Sequence, residues 1–165
     1  QHDTETAEDY VVRVAADKAA AVAETAPPGT IVVGFDTAVV LDGEIYGKPT
    51  DEGAAAAMLL SLAERTHTVL TGYCLVVAGG NDEEQGIDAA RVTMRAITSE
   101  EATAYAATGE PADKAGAYAL QGRGRGFVDH VDGLRSTVIG MPLEHVVDLL
   151  TRRGVMPTRL GGGEA

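Results

Sequence analysis

The chain has 165 residues, a length that suits one globular domain spanning residues 1–165. Its formal net charge of −12 makes DNA and RNA polymers poor partners, because an acidic surface repels a phosphate backbone. No apolar run reaches membrane-spanning length, no signal-peptide pattern opens the chain, and the single cysteine, Cys74, suits a reducing compartment. We therefore expect a cytoplasmic protein that does not contact a membrane.

The first half of the chain predicts a helix followed by a strand hairpin. Residues 30–41 are β-branched and apolar, which predicts a buried strand that is interrupted from Gly34 to Thr37. Asp42-Gly43 is a tight-turn signal leading into a short return strand from Glu44 to Tyr46. The helix that comes first has a stripe of positions at three- and four-residue spacing, namely Ala7, Tyr10, Val11, Val14, Ala15, Lys18, Ala19 and Val22.

The middle of the chain predicts a helix, two strands and another helix. Thr50 is the expected N-cap of a helix over residues 51–64. Strands are expected near residues 67–78 and 87–97, joined by a polar turn. The run Thr98-Ser99-Glu100-Glu101 predicts a capping box for the next helix, which should end at Gly109.

The last part of the chain predicts a glycine-rich loop, a hairpin and a final helix. Residues 108–126 combine glycine with charge and are typical of a site carried on a loop. A hairpin is expected to turn at Asp132-Gly133, and the last helix should begin near Pro142 and end before Gly154. Residues 155–165 are expected to form a flexible tail.

Two positions and one loop stand out as chemical candidates on residue pattern alone. Asp36 ends an apolar strand segment and could act as a base or a metal ligand, but a strand-end aspartate that caps a turn is an equal alternative. Lys48 in Gly47-Lys48-Pro49 suits a phosphate, although a solvated loop lysine is the more common outcome of such a short pattern. The loop 108–124 carries Glu110, Asp113, Lys114, Gln121 and Arg123, and the amide of Gln121 could read the edge of a base; a glycine-rich surface loop without a site is the alternative.

Two blocks of sequence then resemble the Maf family of nucleoside triphosphate pyrophosphatases. These are GFDTAVVLDGEIYGKPTDEGAAAAMLLSLAERTHTVLTG, residues 34–72, and TGEPADKAGAYALQGRGRGFVDHVDGLRSTVIGMPL, residues 108–143. The resemblance implies an α/β fold with a mixed twisted sheet flanked by helices, two-lobed with a central cleft, as in inosine triphosphatase architectures. It implies hydrolysis of nucleoside triphosphates to the monophosphate and pyrophosphate with a divalent metal cation, Mg²⁺ or Mn²⁺, and homodimers occur in the family.

The resemblance also implies roles for individual residues. Asp36 matches the family's proton acceptor, and Asp36 and Asp113 are the candidate metal ligands. Thr37 and Gln121 match positions tied to substrate selectivity, whereas Lys48 and Lys114 match the lysines that face the phosphates. The Asp-Lys pair and Gln-Gly resemble the branch that acts on dTTP and UTP.

The family usually opens with a strand and a Ser-x-Ser-Pro-Arg-Arg loop that this sequence does not contain. The comparison leaves two readings, a start that lies further upstream or a chain that is short at its N-terminus. A non-catalytic nucleotide-binding regulator of septum formation is the alternative function, and hydrolysis of damaged purine triphosphates is a second enzymatic one. A panel of triphosphates would separate these readings.

Overall fold

The computed structural model describes residues 5–156, and this range contains five β-strands and five α-helices. The strands are β1 (Ile31–Leu41), β2 (Glu44–Tyr46), β3 (Thr66–Val77), β4 (Glu83–Met94) and β5 (Val128–Asp132). The α-helices are α1 (Ala7–Ala23), α2 (Glu52–Leu62), α3 (Ser99–Ala106), α4 (Arg135–Ile139) and α5 (Leu143–Arg152). Two short 3₁₀ turns, Ala115–Ala117 and Arg123–Phe127, lie between α3 and β5.

The strands form one sheet in the order β2-β1-β3-β4-β5, which confirms the α/β class with flanking helices. Mixed strand directions were expected, yet every pairing among the described residues is antiparallel. Short connections explain two of these four pairings, because β1 and β2 are joined by the two-residue turn Asp42-Gly43 and β3 and β4 by residues 78–82. Such tight connections can only join antiparallel neighbours.

Helices cover both faces of the sheet. On one face, α1 lies against β1 and β3 so closely that a Cβ added at Gly34 would sit 2.3 Å from the carbonyl oxygen of Ala15. On the other face, Val39 of β1 belongs to the largest apolar cluster together with Leu59 of α2 and Tyr105 of α3. Because side chains alternate along a strand, even-numbered residues of β1 face α1 and odd-numbered ones face the other helices.

Several element predictions are confirmed and others are wrong. The predicted helix at the start, the Asp42-Gly43 turn and the capping box at Thr98 are all present. β1 is not interrupted at residues 34–37 but runs unbroken, because Gly34 is in the strand to admit α1 rather than to break it. The N-cap of α2 is Asp51, not Thr50, since the Asp51 carboxylate accepts the amide of Ala54 at 2.7 Å.

Two further boundaries differ from the prediction. β4 begins at Glu83, four residues early, because Glu83 and Glu84 continue the pairing with β3 instead of forming the turn. After Asp132-Gly133 the chain enters α4, so no hairpin forms there.

No helix between residues 5 and 156 is long and apolar enough to cross a membrane. The tail predicted from residue 155 lies, from 157 onward, outside the described residues.

Candidate active site

A cleft of about 620 Å³ opens beside β1, within the size range of small-molecule sites. Its walls come from α1, β1, the segment after β2, the loop 113–121 and the end of α4. The chain contains three lysines, and all three line this cleft together with two aspartates. In a molecule with a net charge of −12, this is a local excess of positive charge. Every candidate site residue named from the family resemblance is there: Asp36, Thr37, Lys48, Asp113, Lys114 and Gln121.

The cleft exists because β2 is short. β2 pairs only with Val39–Leu41 of β1, so residues 31–38 have no strand partner on that edge within the described range. From this edge both faces of β1 are reachable. Asp36 points towards α1, and its neighbour Thr37 points to the opposite face, yet both line the same cleft.

The carboxylate of Asp36 is held by α1. Lys18 of α1 donates from its Nζ to Asp36 Oδ1 at 2.6 Å and to the carbonyl oxygen of Phe35 at 2.9 Å. The Asp36 side chain is 16% exposed, whereas that of Lys18 is 53% exposed. The second carboxylate oxygen of Asp36 has no hydrogen-bond partner among residues 5–156. One oxygen is therefore fixed, and the other is available to a ligand.

The hydroxyl of Thr37 lies against β3 and α4. Its Oγ1 is 2.9 Å from Oγ1 of Thr71, the residue directly opposite it on β3. Gly140, at the C-cap of α4, comes so near that an added Cβ would stand 3.1 Å from Thr37 Oγ1. This approach needs a glycine for a second reason, because the φ of Gly140 is +104°.

The other two lysines enter from loops that touch each other. Gly116 donates its amide to the carbonyl oxygen of Gly47 at 3.1 Å, which ties the loop carrying Lys114 to the segment carrying Lys48. Lys114 donates to Asp113 at 3.0 Å. That hydrogen bond lowers the pKa of the Asp113 carboxyl, and the charge of Lys48 adds to the effect. Two ammonium groups and one ionised carboxylate thus share this wall.

Glu110 holds the glycine-rich loop in shape. Its carboxylate accepts the hydroxyl of Tyr105 at 2.9 Å and the backbone amides of Arg123 at 3.1 Å and Gly124 at 3.0 Å. These amide bonds, that of Gly124 above all, lower the pKa of the Glu110 carboxyl. Gln121 lies just before the clamped amides and is exposed in the cleft. Glu110 is therefore a structural anchor of the loop, while Gln121 is free to meet a ligand.

Tyr118 reaches the cleft from the core. Its hydroxyl is 2.7 Å from Nε2 of His67, a residue 2% exposed on β3. Nδ1 of His67 has no partner within the described residues, and burial lowers the pKa of this imidazole to about 4. His67 is thus a neutral core residue.

The described residues contain no group of three or more histidine, cysteine or acidic side chains that could hold a metal ion by themselves. A divalent cation would instead share its ligands with a substrate. Mg²⁺ is commonly bound by one or two carboxylates, with phosphate oxygens and water filling its remaining positions. Asp36 has one unpaired oxygen in a cleft that also holds three lysines, so it suits a cation that is shared with the phosphates of a substrate.

Sequence reasoning did not assign Lys18 to the site. The signal was present, because Lys18 occupies the stripe of α1 that also contains the buried Val11 and Ala15. A lysine on a face that packs against the sheet must direct its ammonium group to a polar partner at the edge. Thr71 was also missed, since nothing local marks it among the apolar residues of β3.

Comparison with known proteins identifies relatives of this chain. A family model described as Maf-like protein matches residues 1–153. A dTTP/UTP pyrophosphatase of Methylococcus capsulatus is 47% identical over 161 residues, which are 98% of this chain and 79% of that protein. Proteins with the same name from Myxococcus xanthus and Salmonella typhimurium are 48% and 43% identical. The matches cover 93% and 89% of this chain and 76% and 74% of those proteins.

Proposed function

The chain belongs to the Maf family, and we propose that it hydrolyses nucleoside triphosphates, dTTP and UTP in particular, to the monophosphate and pyrophosphate. The observation that carries the proposal is the convergence of all three lysines of an acidic chain on one cleft beside Asp36. A triphosphate is a small polyanion that positive groups gathered in this way attract.

In this proposal, Lys48 and Lys114 bind the phosphates as point charges. They stabilise the negative charge that grows on the leaving pyrophosphate, as fixed positive groups do in phosphoryl transfer. Lys18 does not need to contact the substrate, because it already holds Asp36 at 2.6 Å. Its role is to fix the carboxylate with the unpaired oxygen facing the cleft.

Asp36 is the proposed base. Water adds across the bond between the α- and β-phosphates: its oxygen bonds to phosphorus, the bond to pyrophosphate breaks, and the water proton passes to Asp36. A divalent cation held by Asp36 and the phosphates, with Asp113 as a further candidate ligand, would neutralise phosphate charge and lower the pKa of a bound water. Thr37 and Gln121 are left to recognise the nucleoside.

The experiment compares Asp36→Asn with the native chain in pyrophosphate release from dTTP and UTP with Mg²⁺ or Mn²⁺. Loss of a positioned base lowers turnover by about 10²–10⁴-fold, and the melting temperature should stay unchanged. Asp129→Asn, an exposed change on β5, is the matched control and should keep full activity. Near-native release by Asp36→Asn would refute the assignment. Saturable dTTP binding without pyrophosphate release by the native chain would favour the non-catalytic regulator.

A second measurement uses the lysines directly. An amine-acetylating reagent should modify Lys18, Lys48 and Lys114, and the modified peptides can be quantified by mass spectrometry. Saturating dTTP should protect Lys48 and Lys114 because both would be bound to phosphate. Equal labelling with and without dTTP would contradict the proposed phosphate contacts.

A further inference from the structure

A chain of hydrogen bonds runs from the cleft across one face of the sheet, from β1 to β4. It begins at Thr37 on β1, passes to Thr71 on β3 and Thr137 on α4, and ends at Asp88 on β4. Thr71 and Thr137 are fully buried, so they cannot exchange these partners for water. Buried polar groups of this kind keep fixed partners, since an unpaired one costs free energy.

The direction of each bond follows from counting protons. Thr71 Oγ1 is 2.8 Å from the carbonyl oxygen of Thr137, and a carbonyl oxygen can only accept. Thr71 must therefore donate its one hydroxyl proton there. The 2.9 Å contact between the hydroxyls of Thr37 and Thr71 then leaves Thr37 as the donor. The hydroxyl proton of Thr37 is consequently directed into the protein, away from the cleft.

The rest of the chain holds this arrangement in place. The hydroxyl of Thr137 donates to the carboxylate of Asp88, which fixes α4 on the sheet at the residue whose carbonyl oxygen Thr71 needs. On the cleft side, Gly140 lies beside Thr37 Oγ1, and a Cβ at this position would stand 3.1 Å from that oxygen. Thr37 thus shows a ligand only the lone pairs of its oxygen.

From this geometry we infer that Thr71, Thr137 and Asp88 are positioning residues that fix Thr37 as a hydrogen-bond acceptor, so that the cleft selects nucleosides offering a donor at that point. This inference rests on the proposed function. Uracil and thymine carry a ring N–H at position 3, where cytosine has an acceptor. The 3′-hydroxyl of the sugar is the other donor that dTTP and UTP share.

The test is a selectivity ratio. Thr71→Val keeps the shape of the side chain but removes the acceptor for the Thr37 proton, so that this hydroxyl becomes able to donate into the cleft. The ratio of kcat/KM for UTP to that for CTP should fall about tenfold, the scale of one hydrogen bond, and part of the fall should come from faster CTP turnover. Thr71→Ser retains the hydroxyl and should restore the native ratio.

β3 offers a matched control for this variant. Thr66 and Thr93 form a second cross-strand hydroxyl pair, also at 2.9 Å, but on an exposed part of the sheet. Thr66→Val should leave the UTP to CTP ratio unchanged. A purely structural role for Thr71 would lower activity on UTP, CTP and 3′-deoxy-UTP alike, and that result would overturn the inference.

Two further experiments identify the group that donates to Thr37 and separate this inference from the proposed function. If 3′-deoxy-UTP is turned over at least tenfold more slowly than UTP while the UTP to CTP ratio is small, the sugar hydroxyl is the donor and Thr37 still acts as an acceptor. Calorimetric titration with UMP and CMP measures the same preference without hydrolysis. A preference for UMP that Thr71→Val abolishes would support the positioning of Thr37 as an acceptor, even in a chain that released no pyrophosphate. Equal binding of UMP and CMP by the native chain, together with no loss on 3′-deoxy-UTP, would refute it.

Discussion

Replacing Gly34 with alanine should disturb the cleft through α1 without touching any group that meets the substrate. The added Cβ would lie 2.3 Å from the carbonyl oxygen of Ala15 and 2.9 Å from the amide nitrogen of Ala19. Ordinary van der Waals contact begins near 3.4 Å, so the helix must move away from β1 by about 1 Å. Both obstructing atoms belong to the backbone, and no side-chain rotation can relieve the overlap.

The size of the effect follows from that displacement. Overpacking of this kind lowers the free energy of unfolding by about 1–3 kcal/mol, which in a chain of this length shifts the melting temperature by about 3–10 °C. The same movement carries Lys18 away from Asp36, where the two are now 2.6 Å apart. Because misplacement by 1 Å can reduce catalysis by about 10²-fold, kcat/KM for dTTP should fall about 10- to 100-fold.

The assay combines thermal unfolding with pyrophosphate release from dTTP. Gly126→Ala is the control, because an added Cβ at Gly126 meets nothing within 4 Å and should change neither quantity. A Gly34→Ala variant that melts like the native chain would show that α1 does not rest on the strand at this distance. A variant that melts earlier but keeps native kcat/KM would show that the position of Lys18 is unimportant to Asp36.

Three other changes test separate parts of the site. Lys18→Met should lower kcat/KM for dTTP about tenfold or more while moving the melting temperature by less than about 2 °C, since an ion pair with a 53% exposed lysine adds little stability; native kinetics would exclude a role in orienting Asp36. Glu110→Gln should lower the free energy of unfolding by about 1–3 kcal/mol, because an amide cannot accept all the bonds that the carboxylate accepts. The pKa of Glu110 is lowered in the folded state, so the stabilisation by its carboxylate is present above the ordinary pKa of 4.5 and should be lost as pH falls below that value. A difference in free energy of unfolding between the native chain and Glu110→Gln that stays constant from pH 7 to pH 3 in denaturant titrations would contradict the anchor role. Burial lowers the pKa of His67 from 6.5 to about 4, so the free energy of unfolding of the native chain should fall as pH falls from 6.5 towards 4. His67→Leu should lack this contribution to the pH dependence. Identical pH slopes of the free energy of unfolding for the two proteins would show that His67 titrates normally.

The parts of the fold that the sequence predicts are those with local causes. The helix α1 follows from its own periodicity, the β1–β2 hairpin from Asp42-Gly43, and the start of α3 from the reciprocal bonds between Thr98 and Glu101. The error at Gly34 has a non-local cause. A glycine in a strand usually indicates an interruption, and only the packed α1 shows that it serves close approach instead.

The same distinction applies to the cleft. Family motifs brought together six residues that the structure places around one cavity, although composition alone left Asp36 no better than a strand-end carboxylate. Lys18 and Thr71 were missed because their relevance depends on what lies across the sheet from them. The distance from Lys18 to Asp36 spans 18 positions of sequence, and that from Thr71 to Thr137 spans 66.

Side chains alternate along β1, so the residue proposed for chemistry and the residue proposed for recognition lie on opposite faces of one strand. Asp36, the proposed base, faces α1 and is bound by Lys18, whereas Thr37, proposed to recognise the nucleoside, faces α4 and is bound by Thr71. Neighbouring residues of a strand can share one ligand only where the strand edge is open, and the short β2 leaves that edge open along residues 31–38 within the described chain. Changes on the α4 side should therefore alter which nucleoside is accepted, whereas changes on the α1 side should alter the rate for every nucleoside. Thr71→Val and Lys18→Met, measured on the same set of triphosphates, should accordingly give opposite patterns, and identical patterns would show that the two faces do not act separately.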